Sequence, residues 1–381
     1  MASANLIAFA HHFADLPDPR LPRTRLHPLT NVLVIGLCAV ICGVKHFTQM
    51  EVFGKAKKDW LARFLDLRAG IPSHDTFNAV FTRLSPAAFE QALVGWITAL
   101  HEVSGGQILA IDGKTLRSSY RPGDAKALIH MVSIWATANH LSLGSTVVDE
   151  KSNEITAIPR LLELIDVSGA LVTIDALGCQ KEIARKILEA GADYVLAVKD
   201  NQPKLHEAVR TFFTEQVTTE GSTTPCHHYH TEERGHGRVD ERHYHVCAVP
   251  EDFAVLEQWP GLKALGLVVH RAERDGQESW EVGHYILSRE LSGPRFAEAV
   301  RGHWGIENNL HWQLDVTFGE DDLRVYRGHA PTNLSILMRT ALGLLKNERS
   351  QTGSIASKRL TAGWKEDYLE KVLTGPRDKT R

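Results

Sequence analysis

The pattern of apolar and polar positions in the first hundred residues is helical. Residues 32–44 are apolar all round and contain no proline, which is typical of a buried helix. Ser73 stands where a helix cap is expected, ahead of an apolar stripe at helical spacing formed by Phe77, Val80, Phe81 and Leu84. We therefore predict a helical N-terminal domain over residues 1–105. Short helices joined by polar turns are typical of a helix-turn-helix and equally of an ordinary helical bundle.

From residue 106 the pattern changes to strands that alternate with helices. Apolar runs typical of buried strands occupy residues 108–112, 130–138, 141–151, 171–175 and 194–198. Helical patterns follow the third, fourth and fifth of these runs. Three strands, then helix, strand, helix and strand, is the order of the ribonuclease H-like fold, an α/β fold with a mixed sheet and flanking helices. In that fold the first and fourth strands are neighbours at the middle of the sheet.

Later changes of pattern divide the rest of the chain. Polar and β-branched residues alternate through residues 219–292, which indicates a strand-rich insertion after a first core segment at 106–218. Helical patterns resume at 294–314 and at 331–346. We therefore predict that residues 293–348 complete the core and that residues 349–381 form a C-terminal tail.

Composition limits the class of protein. The 381 residues are 43% hydrophobic and 23% charged, which is typical of a globular protein with more than one domain. A formal net charge of −3 does not favour nucleic acid, so a DNA contact would need a local basic face. The longest apolar run is shorter than the roughly 20 residues that cross a bilayer, and no cleavable leader precedes it. With an odd number of cysteines and no close pairing, these features predict a cytoplasmic protein without a membrane.

Two aspartates that close apolar strands are the first candidates for chemistry. Asp112 follows the block 108–111 and Asp175 ends the block 171–174, so the predicted strand order brings both to one sheet edge. Glu307, in an apolar and aromatic helical setting, is the candidate for a third acid. Carboxylates held together bind divalent metal, and oxygen ligands suit Mg²⁺ or Mn²⁺. Two ions about 3.5–4 Å apart promote in-line phosphoryl displacement, and Asp112 is predicted to bridge them.

The same residues also allow other interpretations. Acids at strand ends occur in many nucleotide and sugar enzymes. His303, Glu307 and His311 share a helix face, which suggests a zinc hydrolase, although the spacing His-Glu-x-x-His is absent. The acids at 315 and 320–322 compete with Glu307, but an acidic run is typical of a solvated turn. Trp304 and Trp312, two turns apart, are predicted to lie in the core.

A cluster of histidines lies between Cys226 and Cys247. It comprises His227, His228, His230, His236, His243 and His245. These residues suggest either a metal module or a polar hairpin. Because no Cys-x-x-Cys pair is present, we favour the hairpin.

Several sequence blocks occur together in an order and spacing typical of a known family. They are AIDGKTLR (110–117), KSNEITAIP (151–159), VTIDALGCQ (172–180), DYVLAVKDNQ (193–202), HGRVDER (236–242) and HWGIENNLHWQLDVTFGED (303–321). The chain thus resembles the H-repeat-associated branch of bacterial insertion-sequence transposases, which have an aspartate–aspartate–glutamate ribonuclease H-like core. The resemblance implies metal-dependent cleavage at transposon ends and strand transfer into target DNA, with Asp112, Asp175 and Glu307 as catalytic metal ligands.

The resemblance also implies partners and further site residues. Double-stranded DNA at transposon ends and target, a homodimer on paired ends, and a place at the bacterial nucleoid are expected. The N-terminal domain is then expected to bind DNA. Residues expected to contact DNA or support the site are Lys114, Lys199, Asn201, Gln202, Arg234, His236, Arg238, Arg242, His303, Asn308 and His311. An ordinary turn would explain Lys199, Asn201 and Gln202 equally well.

One departure from the wider superfamily concerns the surroundings of the glutamate. Many relatives have a Tyr seven residues before it, an Arg four before it and a Lys seven after it. Val300, His303 and Leu314 stand there in this chain. The resemblance therefore does not imply the roles given elsewhere to those residues, such as hairpin formation or a phosphate contact. Two functions remain: an active transposase, or a DNA-binding relative that keeps the fold and no longer transposes. A hydrolase of small phosphoesters is a more distant third.

Overall fold

A computed structural model of the chain describes residues 12–13, 15–100, 107–117, 128–148, 154–218, 225–235, 237–274 and 276–374. Its helices are α1 (Leu29–Ile41), α2 (Phe47–Ala56), α3 (Lys58–Leu61), α4 (His74–Arg83), α5 (Pro86–Leu100), α6 (Glu154–Leu162), α7 (Lys181–Glu189), α8 (Pro203–Thr218), α9 (Gly293–Ile306), α10 (Ala330–Asn347), α11 (Ile355–Trp364) and α12 (Glu366–Thr374). Its strands are β1 (Ile108–Leu116), β2 (Ile129–Ala136), β3 (Leu141–Val148), β4 (Leu171–Ile174), β5 (Asp193–Val198), β6 (Cys226–Gly235), β7 (Arg238–Ala248), β8 (Ala264–Arg274) and β9 (Gln277–Leu287).

The chain forms two compact units. The first comprises Met1–Val103, Gly113–Lys151 and Glu307–Arg381, and the second comprises Ser104–Asp112 and Ser152–Ile306. None of the helices in the described ranges is long and apolar enough to cross a membrane.

The second unit contains a mixed sheet whose parallel strands are flanked by helices. Its strand order is β1-β4-β5-β9-β8-β7-β6. β1, β4 and β5 are parallel, because α6 and α7 provide the crossovers that parallel strands require. From β9 to β6 the strands are antiparallel and joined in part by tight hairpins. The strand-rich insertion predicted over residues 219–292 is therefore the antiparallel half of this sheet.

Helix α9 packs on the antiparallel half of the sheet through aromatic contacts. The ring of Phe296 lies edge-on to Tyr285 and to Tyr244, with centroid distances of 5.4 and 6.2 Å. Gly266 makes room for this ring, since a Cβ there would come within 2.6 Å of the Phe296 Cζ atom. These buried contacts fix the helix that ends directly before Glu307.

In the first unit the predicted helices are present and form a helical core. All but one residue of α10 is buried, including the four leucines 334, 337, 342 and 345. Ser73 caps α4 by accepting a hydrogen bond from the Thr76 backbone N–H. The Asn333 side chain donates to the Phe81 and Leu84 carbonyls, at 2.8 and 2.9 Å, and so joins α10 to the end of α4. β2 and β3 form an antiparallel hairpin beside β1. The ribonuclease H-like strand order predicted from sequence is confirmed.

A buried network of opposite charges stabilises the first unit. Glu320 and Arg339 are each 1% exposed and lie 2.8 Å apart, and Lys114 approaches Glu320 at 2.6 Å. Although burial by itself raises the pKa of Glu320, the charges of Arg339 and Lys114 lower it to about 2. The prediction that this acidic run is a solvated turn is wrong for Glu320. The positive charges of Lys114 and Arg339, 206 and 19 residues away in sequence, compensate the free-energy cost of burying this carboxylate.

Three features near the ends of predicted elements differ from expectation. Cys226 and Cys247 form a disulfide, because the antiparallel register of β6 and β7 places these residues opposite each other. These two cysteines are 21 residues apart in sequence, so their spacing did not indicate the pair. The region 349–381, predicted as a tail, contains helices α11 and α12, which bury Leu369 and Val372. The helix predicted over 294–314 is α-helical only to Ile306 and continues as π-helical segments, Glu307–His311 and Gln313–Phe318.

We predict that Glu320→Gln destabilises the protein by about 3–5 kcal/mol. The substitution removes the carboxylate charge and leaves Arg339 and Lys114 buried without it. Urea unfolding followed by circular dichroism measures the difference. Glu298→Gln is the matched control, because Glu298 forms an exposed helical pair with Arg295, and such pairs contribute little. Equal stability of the two variants would contradict a stabilising role for the network.

Candidate functional site

The parallel register of β1 and β4 brings two acids to the same edge of the sheet. Ile111 is paired with Ile174, and this is the last pair in the register. Asp112 and Asp175 are the next residues on the two strands. Neighbouring strands are separated by about 4.8 Å, so the two carboxylates project from adjacent positions. Both aspartates are partly exposed. The two acids thus occupy neighbouring positions, but only Asp175 ends its strand as predicted, because β1 continues beyond Asp112.

The loop that carries Asp175 is held by backbone and amide contacts. The Gly178 N–H donates to the Asp175 Oδ1 atom at 3.2 Å. Gly178 is needed for this close turn, because a Cβ there would come within 2.2 Å of the Ile174 side chain. Asn201 donates to the Ala176 carbonyl at 2.6 Å, and Gln202 donates to the carbonyl of Cys179 at 3.0 Å. These two amides, predicted as DNA contacts, thus position the loop after β4.

Two lysines near the candidate site, Lys114 on β1 and Lys199 after β5, differ in their exposure to solvent. β1 does not end at Asp112 but continues to Leu116, so Gly113 and Lys114 are strand residues. Lys114 is 9% exposed and its Nζ atom forms ion pairs with Asp315 and Glu320. It neutralises the buried Glu320 and the partly exposed Asp315, a role that the sequence did not suggest. Lys199 is exposed and directly follows β5, which is parallel to β4.

His303 lies on the face of β4 that carries Asp175. Its Nδ1 atom is 3.3 Å from the Thr173 Oγ1 atom, and Thr173 and Asp175 point to the same side of the strand. Burial lowers the pKa of His303 to about 4, although the contact with Thr173 acts in the opposite direction. The imidazole is therefore neutral near pH 7. Thr173 was not predicted as a site residue, but its position two before Asp175 on a strand is a signal available in the sequence.

Glu307, Asn308 and His311 lie in the π-helical segment that follows α9. Glu307 and Asn308 are exposed, and all three residues belong to the first unit. His303 lies in α9 and belongs to the second unit, whereas Glu307 and His311 belong to the first. Trp304 and Trp312 were predicted as core residues, but they are 37% and 52% exposed.

The basic residues of the β6–β7 hairpin all have acidic partners. Arg234 pairs with Glu232, Arg238 pairs with Asp240, and Arg242 lies 3.2 Å from the same Asp240. The fourth predicted contact of this hairpin, His236, lies outside the described residues. A DNA phosphate would have to compete with these carboxylates for the arginines. Their contact with DNA stays a prediction.

Comparison with known proteins agrees with this arrangement. The family described as Transposase DDE domain matches residues 103–344, and the family DDE_Tnp_1-associated matches residues 10–97. The chain belongs to the DDE transposase family. The DDE match contains Asp112, Asp175 and Glu307.

Similar chains place it among the H-repeat-associated members of this family. It is 38% identical over 370 residues to "H repeat-associated putative transposase YhhI" of Escherichia coli K12, covering 96% of this chain and 97% of that one. It is 40% identical over 366 residues to "Putative transposase YncI" of Escherichia coli O157:H7, covering 95% and 93%. A solved piggyBac transposase synaptic complex with hairpin DNA aligns at a TM-score of 0.40 and 10% identity, covering 99% of this chain and 80% of that one. The family assignment depends on the sequence matches.

The partly buried, neutral His303 predicts a pH dependence of stability. In the unfolded chain a histidine binds a proton near pH 6.5, whereas His303 in the folded protein does so only near pH 4. The unfolded state therefore gains protons first, and stability falls as the pH is lowered from about 6.5 to 4.

We expect the free energy of unfolding of His303→Asn to fall less than that of the parent as the pH is lowered from about 6.5 to 4. Urea unfolding at several pH values measures the difference. His227→Asn is the control, because the His227 side chain is 52% exposed. A parent and His303→Asn variant with identical pH slopes would show that His303 is not responsible.

Proposed function

We propose that this chain is the transposase of an insertion sequence, which cuts DNA at the element's ends and joins those ends to target DNA. The observation that carries the proposal is the parallel register in which Ile111 pairs with Ile174. It makes Asp112 and Asp175 neighbours on two central strands, at the point where the apolar run of each strand ends. The family to which the chain belongs supports the same reaction class.

The donor set fits a hard divalent cation. Asp112 and Asp175 offer only carboxylate oxygens, and Mg²⁺ and Mn²⁺ prefer such ligands. We propose Glu307 as the third ligand, on the family resemblance and on its place directly after α9, and we expect two ions. Divalent metal, when bound, supplies the Lewis acidity that activates a water or a 3′-hydroxyl and stabilises the leaving oxygen.

The chain's own residues hold this site in place and supply contacts to DNA. The Gly178 N–H, Asn201 and Gln202 restrain the loop that carries Asp175. A neutral His303 adds no positive charge beside the acids, so it does not compete with metal for them. Lys199, exposed after β5, is the residue we propose to contact a DNA phosphate. Arg234, Arg238, Arg242, His236, Asn308 and His311 remain proposed contacts on the family resemblance.

We further propose that the protein acts as a homodimer on paired DNA ends, in the bacterial cytoplasm at the nucleoid. A second candidate is a relative that binds DNA but no longer transposes. "Inactive transposase YbfQ" of Escherichia coli K12 matches 35% of the residues over 72 positions, which cover 19% of this chain and 86% of that one. The intact acids favour the active enzyme, since binding alone does not require all three.

We predict that Asp112→Asn, Asp175→Asn and Glu307→Gln each slow Mg²⁺-dependent nicking of the element's terminal repeats at least about 100-fold. Each substitution removes a metal ligand, and metal catalysis contributes several kcal/mol. The measurement uses purified full-length protein and labelled DNA that carries the repeats flanking the reading frame. Asp252→Asn, an exposed aspartate away from the sheet edge, is the control and should cut at the parent's rate.

Two results would overturn parts of the proposal. Undiminished cutting by Asp112→Asn would refute the site assignment. A parent that binds the repeats and never cuts them, with either Mg²⁺ or Mn²⁺, would favour the relative that only binds DNA.

We predict that Lys199→Ala weakens DNA binding several-fold and lowers the slope of log K against log salt by about 1. Loss of one phosphate contact has this signature. Fluorescence anisotropy over a range of salt concentrations, in EDTA to prevent cleavage, measures both quantities. Lys263→Ala is the matched control, because Lys263 precedes β8 and hydrogen-bonds Leu287, at the opposite end of β5. Similar effects of both variants would mean that Lys199 contributes only to net charge.

A further inference from the structure

The β6–β7 hairpin carries pairs of metal-binding residues on one face. In its antiparallel register Cys226 is opposite Cys247, His228 is opposite His245, and His230 is opposite His243. Side chains at alternate positions of a strand point to the same side, and so do directly opposite residues. The other side of the hairpin holds Tyr244, which packs on Phe296 of α9. The histidine pairs therefore face away from α9.

Three of these side chains converge on one point. The Glu241 Oε1 atom is 3.3 Å from the His230 Nε2 atom and 3.1 Å from the His243 Nε2 atom. All three ligand atoms lie within 4.8 Å of one another. Ligands about 2.0–2.1 Å from a tetrahedral zinc ion are separated by about 3.3 Å. The observed separations from Glu241 match the edge of such a tetrahedron.

The surroundings prepare Glu241 to act as a ligand. Arg271, which is opposite Glu241 on β8, contacts its other oxygen, Oε2, at 3.3 Å. Arg271 orients the group and leaves the Oε1 atom directed toward the two imidazoles. Support of a ligating carboxylate by an outer hydrogen bond is common in metal sites.

We propose that His230, Glu241 and His243 bind one transition-metal ion of the zinc class. Two imidazole nitrogens and one carboxylate oxygen suit zinc and its neighbours in the first transition row, and they do not suit magnesium. His230 and His243 are each 45% exposed, so water can complete the coordination. The four histidines 228, 230, 243 and 245 line one surface depression.

This site is separate from the proposed catalytic acids. Four strand spacings of about 4.8 Å separate β4 from β7, or about 19 Å across the sheet. Because β6 is the edge strand, an ion held between His230 and the β7 residues joins that edge to its neighbour. Because the ion would bind the folded hairpin and not the unfolded chain, zinc should stabilise the fold.

The test measures zinc binding to the full-length protein. Protein stripped with EDTA and exchanged into buffer with excess Mg²⁺, which occupies carboxylate sites, is titrated with Zn²⁺ against a chromophoric chelator. We expect one tight equivalent, which the double variant His230→Ala/His243→Ala loses or binds at least about 100-fold more weakly. Co²⁺ should give the visible absorption of a tetrahedral site in the parent and not in the double variant.

Controls separate this site from others. His227→Ala removes a histidine of the same strand that pairs with Glu290, and it should bind zinc as the parent does. Circular dichroism melts without zinc verify that each variant folds. Equal zinc affinity of the parent and the double variant would overturn the proposal. So would zinc binding that appears only after reduction of the disulfide and disappears in Cys226→Ser, because the ligands would then be thiolates.

Discussion

The parallel pairing of β1 with β4 is the constraint on which the proposed activity depends. Only the backbone hydrogen bonds of this pair bring Asp112 beside Asp175, and a shift of one residue would separate them and turn one side chain to the other face. The strands themselves are apolar, so burial on both faces holds the register. The acids are exposed only where the apolar residues end. The same two strands therefore supply both buried core residues and the proposed metal ligands.

The positions around the two aspartates are stabilised by polar groups that could be mistaken for ligand contacts. Asn201 and Gln202 follow β5, where a DNA contact is easily imagined, but their amides bind carbonyls of the loop after β4. Lys114, two residues from Asp112, neutralises Glu320 inside the first unit. A buried carboxylate costs several kcal/mol unless it is paired. The family's signature segment AIDGK therefore combines a proposed metal ligand with a lysine that serves stability.

The overall negative charge of the protein constrains the proposed binding of DNA. The arginines of the β6–β7 hairpin are paired with acids of the same hairpin, so that face is not strongly basic as it stands. The neighbouring histidines add positive charge only when they are protonated. When they are neutral, their ring nitrogens can bind a metal ion. The proposed contact of these arginines with DNA phosphate would therefore require them to exchange their acidic partners.

Sequence alone predicted the α/β class, the order of the first five strands, and the two aspartates that follow the apolar runs of β1 and β4. Apolar runs and helical stripes are local patterns, and they predicted α1, α4, α10 and the strands because burial acts on each segment separately. The sequence blocks that carry the family resemblance added the family and Glu307. Only the tertiary structure decided the features that depend on partners elsewhere in the chain. These are the compensation of the buried Glu320 charge by Arg339 and Lys114 and the Cys226–Cys247 disulfide. The convergence of His230, Glu241 and His243 is a further example. Charge and ligand chemistry require a second group within a few ångströms, and the folded chain alone sets that distance.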